Sequence, residues 1–91
     1  MQMRFVYMWD HQKDIVTYSK KNNVDPFLVA AIIKNESNFK HDAVSKVGAV
    51  GLMQIMPETG RWIAEQMGLE NYQDSDLYQT RKNIRMGCWY V

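Results

Sequence analysis

Apolar and polar positions along the chain fall into blocks divided by proline, glycine and short polar runs, and this pattern predicts four helical segments. The first runs from about Asp10 to Lys21, with Ile15, Tyr18 and Ser19 spaced for one face, and Asn22-Asn23 as its stop. Asp25-Pro26 opens the second, as an N-cap acid followed by proline at the first helical position. Its continuation, Phe27 to Ile33 and on to Glu36, is apolar nearly all round, which marks a helix buried on most sides. A β-strand competes for so Ile/Val-rich a run; the Asp-Pro start, the alanine pair Ala30-Ala31 and the length favour helix.

From Ser37 to Met56 the pattern is irregular, with Gly48 and Gly51 inside it. Pro57 can open a third helix that carries Trp62, Ile63 and Met67 and stops at Gly68. A polar loop from Glu70 to Thr80 leads to a fourth segment, Asn83 to Val91. The chain stops inside that apolar pattern with no cap, and the expectation is a truncation at this end. Ninety-one residues make one domain at most, and a chain this short buries only roughly 60–65% of its unfolded surface. The expected fold class is all-α.

Charge and composition mostly exclude. A formal net charge of +1, with Lys and Arg interleaved among acids, gives no electrostatic footprint for nucleic acid. The single cysteine, Cys88, rules out an internal disulfide framework and a cysteine-based zinc site. His11 and His41 lack partners at metal-ligand spacing, and each reads as a solvated or locally hydrogen-bonded histidine. The opening Met1 to Met8 has no apolar run long enough for a signal peptide or a membrane span.

Glu36 is the residue that asks for a reason. Leu28, Ile32 and Glu36 are spaced i, i+4, i+8, so the carboxylate continues what reads as the core-facing stripe of the second helix, flanked by Val29 and Ile33. A carboxyl group at the edge of an apolar face is desolvated, which favours its protonated form and suits it to donate a proton to a glycosidic oxygen. The plain alternative is a surface pair with Lys40, four residues on, which contributes only a few tenths of a kcal/mol. Spacing alone leaves both open. Glycosidases usually place two carboxyl groups across the scissile bond. Asp25 reads as a cap, Glu65 as an exposed helix residue, Asp74 and Asp76 as loop residues, and neither Asp42 nor Glu58 continues an apolar stripe. With no second acid, the nucleophile must be water or the substrate itself.

The ordered block Glu36-Ser37-Asn38-Phe39, Ala43-Val44-Ser45 and Gly48-Ala49-Val50-Gly51-Leu52-Met53-Gln54-Ile55-Met56-Pro57-Glu58-Thr59 resembles the signature of the soluble lytic murein transglycosylases. That family has a goose-type-lysozyme-like catalytic domain. Asn83-Ile84-Arg85-Met86-Gly87 with Trp89-Tyr90 looks like its next motif, and the likeness runs from about Asp25 to Val91. The resemblance implies a lysozyme-like helical domain, of which residues 1–91 would be the N-terminal portion only. It implies cleavage of the bond between N-acetylmuramic acid and N-acetylglucosamine in peptidoglycan, with Glu36 as single acid/base and the sugar's own 6-hydroxyl as nucleophile, leaving a 1,6-anhydro ring. Ser45, Met53 and Gln54 match positions that line the family's sugar cleft. No metal or organic cofactor is implied, and the setting implied is the cell envelope, periplasmic or extracellular, with a possible membrane anchor in a longer protein.

Other readings of these residues stand beside that one. Gly48 and Gly51 can serve tight turns alone, Met53 and Met56 can be core filler, and Ser37 can be a helix-end hydrogen bonder. Trp62, Trp89 and Tyr90 read as core ahead of cleft stacking. The family's Ala-Tyr-Asn-Ala-Gly segment has no counterpart, Tyr72, Tyr78 and Tyr90 being in other contexts, and Thr80-Arg81-Lys82 stands where Asp-Pro often precedes the Asn-Ile motif. The expectation is weak or no activity for this chain by itself, and self-association through an exposed fourth segment. A lysozyme-like hydrolase and a non-catalytic glycan-binding or assembly fragment are the alternative functions.

Overall fold

A computed structural model gives the fold; it describes residues 2–91, with side chains described from His11 onward. The elements in order are α1 (Gln2–Lys21), α2 (Pro26–Ser37), α3 (Pro57–Met67), a 3-10 helix (Asp74–Tyr78) and α4 (Thr80–Tyr90). Helix α1 packs against both α2 and α4, and α4 also packs against α3 and the 3-10 helix. The start expected near Asp10 lies instead at Gln2, and α4 begins three residues before Asn83. The stretch taken as a plain polar loop contains the 3-10 helix, seated by the buried Leu77.

The stops are local chemistry. Asn23 takes a left-handed φ of 57°, and the Val24 N–H reaches back to the Ser19 carbonyl at 2.8 Å, which satisfies carbonyls that the end of α1 would orphan. Asp25 caps α2 by accepting from the Phe27 N–H at 2.9 Å. Asn38 and Phe39 both have positive φ, so the chain turns away after Ser37. Gly68, at φ 70°, closes α3, and its N–H meets the Ala64 and Glu65 carbonyls.

Between α2 and α3 the chain makes two tight turns in place of regular structure. In the first, the Ser45 N–H donates to the Ala49 carbonyl at 2.9 Å. In the second, Val50 and Ile55 exchange both backbone bonds, at 2.9 and 3.0 Å. Ile15, Val29, Ile33, Leu52, Ile63, Leu77 and Ile84 are fully buried and form one continuous core, to which every element contributes. Full burial of one such side chain stabilises by about 1.5–3 kcal/mol, against the entropy of ordering the chain.

The core-facing stripe of α2 corrects the expectation. It is Val29, Ile33 and Ser37; Leu28 is 49% exposed, Ile32 half-buried and Glu36 exposed. On a helix apolar nearly all round, Ile32 and Ile33 are equally good candidates, and the packing of α1 decides between faces one residue apart.

Candidate functional site

Glu36 stands in the last turn of α2, at the surface. The surface pair with Lys40 does not form: the helix ends at Ser37, and Glu36 makes no ion pair among the described residues. The apolar enclosure expected of the carboxylate is absent too, since its stripe faces outward. What fixes Glu36 is its neighbour. Buried Ser37 donates its hydroxyl to the Leu52 carbonyl at 2.7 Å and also lies 3.0 Å from the Ile33 carbonyl. The helix end is thereby tied to the turn that carries Met53 and Gln54.

A shallow groove of about 230 Å³ runs along this junction, lined by Ile32, Met53, Gln54, Met56, Thr59 and Tyr90, among others. Ile32 and Glu36 share one face of α2 a turn apart, about 6 Å along the helix axis at the backbone, and Glu36 itself does not line the groove. Of the residues singled out in the sequence, Met53 and Gln54 therefore reach the groove directly. Met53 is buried over most of its surface and rests on Gly87 of α4. Gln54, at φ 52°, spends its side-chain amide hydrogens on the Ala43 and Gly51 carbonyls at 3.1 and 2.9 Å, so its carbonyl oxygen is the group left for a ligand.

Ser45 sits elsewhere, in the neighbouring turn. Its hydroxyl oxygen accepts from the Ala49 N–H at 3.0 Å and holds that turn closed, leaving its hydrogen to donate outward. Met56 is exposed rather than core filler, and lines the groove. Trp62 and Tyr90 are not core either, at 50% and 56% exposed. Trp62 stacks obliquely on half-buried Trp89 at 5.9 Å and edge-on to Tyr90 at 6.2 Å, beside the groove.

Two residues that the sequence shows only as part of a motif, with no role of their own, shape this wall. Asn83 is wholly buried: it accepts from the Met53 N–H at 2.8 Å and donates to the Val50 and Leu77 carbonyls at 3.0 and 2.7 Å. Gly87 lies against Met53, where a Cβ would strike the Met53 Sδ and come within 2.9 Å of its Cε. A glycine inside an apolar helix is itself a sign of close approach. The arrangement is an exposed carboxylate on a helix end that is tied to the turn lining an apolar groove, with an amide oxygen left over on that turn. Such a groove can hold a ligand with both apolar and hydroxyl or amide faces.

A second hollow of about 230 Å³, lined by Glu70, Tyr72, Asp76, Lys82 and Arg85 among others, holds none of the expected site residues. Among the described residues no cluster of His, Cys, Asp and Glu could hold a metal ion.

Known proteins carry the same arrangement of elements. Residues 14–91 match the family model described as the transglycosylase SLT domain. The chain is 43% identical over 91 residues to membrane-bound lytic murein transglycosylase E of Buchnera aphidicola, covering 98% of this chain and 42% of the relative. It is 46% identical over 70 residues to endo-type membrane-bound lytic murein transglycosylase A of Klebsiella pneumoniae, covering 75% and 34%. Among solved structures, the lytic transglycosylase Slt of Pseudomonas aeruginosa, an inactive mutant, superposes with TM-score 0.83 at 34% identity, over 88% of this chain and 13% of that one. The 70 kDa soluble lytic transglycosylase of Escherichia coli does so with TM-score 0.81 at 29% identity, over 87% and 13%. The chain thus spans less than half the length of these relatives, and its helical fold is the lysozyme-like fold of the Slt enzymes. On sequence and on structure alike, the chain belongs to the transglycosylase SLT domain family.

Proposed function

We propose that this chain carries the catalytic acid and one wall of a peptidoglycan-cleaving site, acting on the β-1,4 bond between N-acetylmuramic acid and N-acetylglucosamine. The observation that carries the reading is the Ser37–Leu52 hydrogen bond, which ties the helix end bearing Glu36 to the turn whose Met53 and Gln54 line the groove. Glu36 protonates the oxygen of the leaving N-acetylglucosamine as the bond from that oxygen to the anomeric carbon breaks. The 6-hydroxyl of the muramic acid residue then bonds to the same carbon and gives its proton to Glu36. The product is a 1,6-anhydro ring, and the acid is regenerated. An internal hydroxyl held near the anomeric carbon reacts at high effective molarity, so a single carboxylate suffices.

In this reading Met53 and Ile32 meet the apolar face of a sugar, and the Gln54 carbonyl oxygen accepts from an N-acetyl N–H or a hydroxyl. Ser45 contributes through its free hydroxyl hydrogen, at one remove from the groove. The names of the relatives, which pair murein with a membrane-bound state, support the cell envelope as the place of action. No described helix is long and apolar enough to cross a membrane. The exposed Trp62, Tyr90 and Val91 beside the groove support self-association of the isolated chain through the end of α4. Sedimentation over a range of concentrations checks this, and a strict monomer counts against it.

The decisive experiment is mass spectrometry of the products after purified peptidoglycan is incubated with this chain and with Glu36→Gln. This chain by itself is expected to give few products or none; those that form should be anhydro-ended, one water lighter than hydrolysis products, and missing with Glu36→Gln. Products that have gained water point to a lysozyme-like hydrolase. Glycan binding without turnover in either chain points to a binding or assembly role.

A further inference from the structure

Asn83, in the first turn of α4, bonds across 30 and 33 residues of sequence to the turn that carries the groove wall. An asparagine side chain has one acceptor group and two donor hydrogens. Here it faces one N–H, that of Met53, and two carbonyls, those of Val50 and Leu77, in a wholly buried position. The match is group for group. Aspartate would aim an oxygen at two carbonyl oxygens, and leucine would leave an N–H and two carbonyls buried without partners.

The turn is built to receive this side chain. Gly51 lies between the clamped residues at φ 80°, and a Cβ there would collide with Asn83 Nδ2 and the Leu77 carbonyl oxygen. One turn along the same face of α4, Gly87 seats the Met53 side chain. A single helix face thus fixes the Met53 backbone through Asn83 and the Met53 side chain through Gly87. Gln54 follows directly, and its left-handed backbone sets where its amide points.

We infer that Asn83 is a positioning residue for ligand binding: it holds Met53 and Gln54 in the register that the groove they line requires. The inference rests on reading that groove as a glycan site. Its test uses a β-1,4-linked N-acetylglucosamine tetramer as the probe, titrated into the chain and followed by two-dimensional amide NMR. In Asn83→Asp and Asn83→Ala, at a temperature where circular dichroism shows them folded, the Kd for the tetramer should rise at least about tenfold. Exchange of the Met53 amide should quicken by about tenfold as well.

A residue that only supports the fold would lower the Tm and leave the Kd of the folded molecules alone, so folded variants with the original Kd overturn the inference. The unmodified chain gives a reading even where no variant folds. The tetramer should shift the Asn83 side-chain amide together with the Met53 and Gln54 backbone amides, and an Asn83 signal that stays still while Gln54 moves overturns it too. A chain that ignores the tetramer overturns the glycan reading instead, and Met53 exchange in the variants separately reports whether Asn83 holds the turn.

Discussion

The Ser37 hydroxyl lies 2.7 Å from the Leu52 carbonyl oxygen, and this buried bond couples the last turn of α2 to the loop fifteen residues on. It joins the residue after Glu36 to the residue before Met53. The helix end that bears Glu36 and the groove wall, which belong to different elements, are therefore held as one unit. Ser37 also completes the buried face of α2 that Val29 and Ile33 begin, so the bond is made inside the core and away from competing water.

Removing that hydroxyl should be costly out of proportion to its size. Ser37→Ala leaves the Leu52 carbonyl buried without its partner, and the expected loss of stability is about 1–2 kcal/mol. On the proposed function, any turnover of peptidoglycan should fall further than stability explains, because a small misplacement of the proposed acid reduces catalysis steeply. Denaturant unfolding and product yield, measured on the same variant, separate the two effects. A variant as stable as the original would show that the bond contributes nothing net.

Gly87 and Met53 make a second pair whose coupling can be measured. In Gly87→Ala the new Cβ meets the Met53 Sδ, and overpacking of this kind costs about 1–3 kcal/mol. Met53→Ala alone should destabilise as well, by opening a cavity. The double variant should be more stable than the sum of the two losses predicts, because each change removes the other's conflict. A double-mutant cycle by denaturant unfolding checks this, and additive losses would mean that α4 shifts away from Met53 instead.

Where the backbone is dictated locally, the sequence was readable. Asp25-Pro26, Pro57 and Gly68 restrict φ or supply a cap, and they bound α2 and α3 where the pattern puts them. The face of α2 was misread because Ile32 and Ile33 are equally apolar and only the packing of α1 separates them. Glu36 is singled out by its motif alone, since burial on the Leu28–Ile32 stripe, the physical reason for it in the sequence, does not hold. Asn83 could not be read as a clamp, since its three partners lie up to 33 residues away and no local pattern joins them. The exposure of Trp62 and Tyr90 escaped for the reverse reason: aromatic residues at helical spacing look like core until their neighbours are known.

Glu36→Gln should leave the fold almost untouched. The side chain is exposed and makes no ion pair among the described residues, so the change in stability should stay within about 0.5 kcal/mol. Thermal unfolding of both chains is the check. A large loss would give the carboxylate a structural role, and any loss of activity in the variant could then no longer be assigned to its proton.

Tyr72 gives a prediction that is independent of the groove. Its hydroxyl is buried with no hydrogen-bond partner among the described residues. Burial first, and then the charges of Asp74 and Asp76, push its pKa from 10.0 up to about 12, with Arg61 pulling partly the other way. Below pH 10 the folded and unfolded chains both keep this proton, so stability does not depend on it there. As pH rises from 10 towards 12 the unfolded chain releases the proton first, and this contribution turns against the fold. Tyr72→Phe should therefore be neutral to stabilising near neutral pH, by at most about 1 kcal/mol, since no bond is lost and an unsatisfied group is removed. Its advantage over the original chain should widen at about pH 11, because phenylalanine has no proton to release. Denaturant midpoints of the two chains at both pH values give the answer. A constant difference would mean that the Tyr72 hydroxyl titrates alike in the folded and unfolded states.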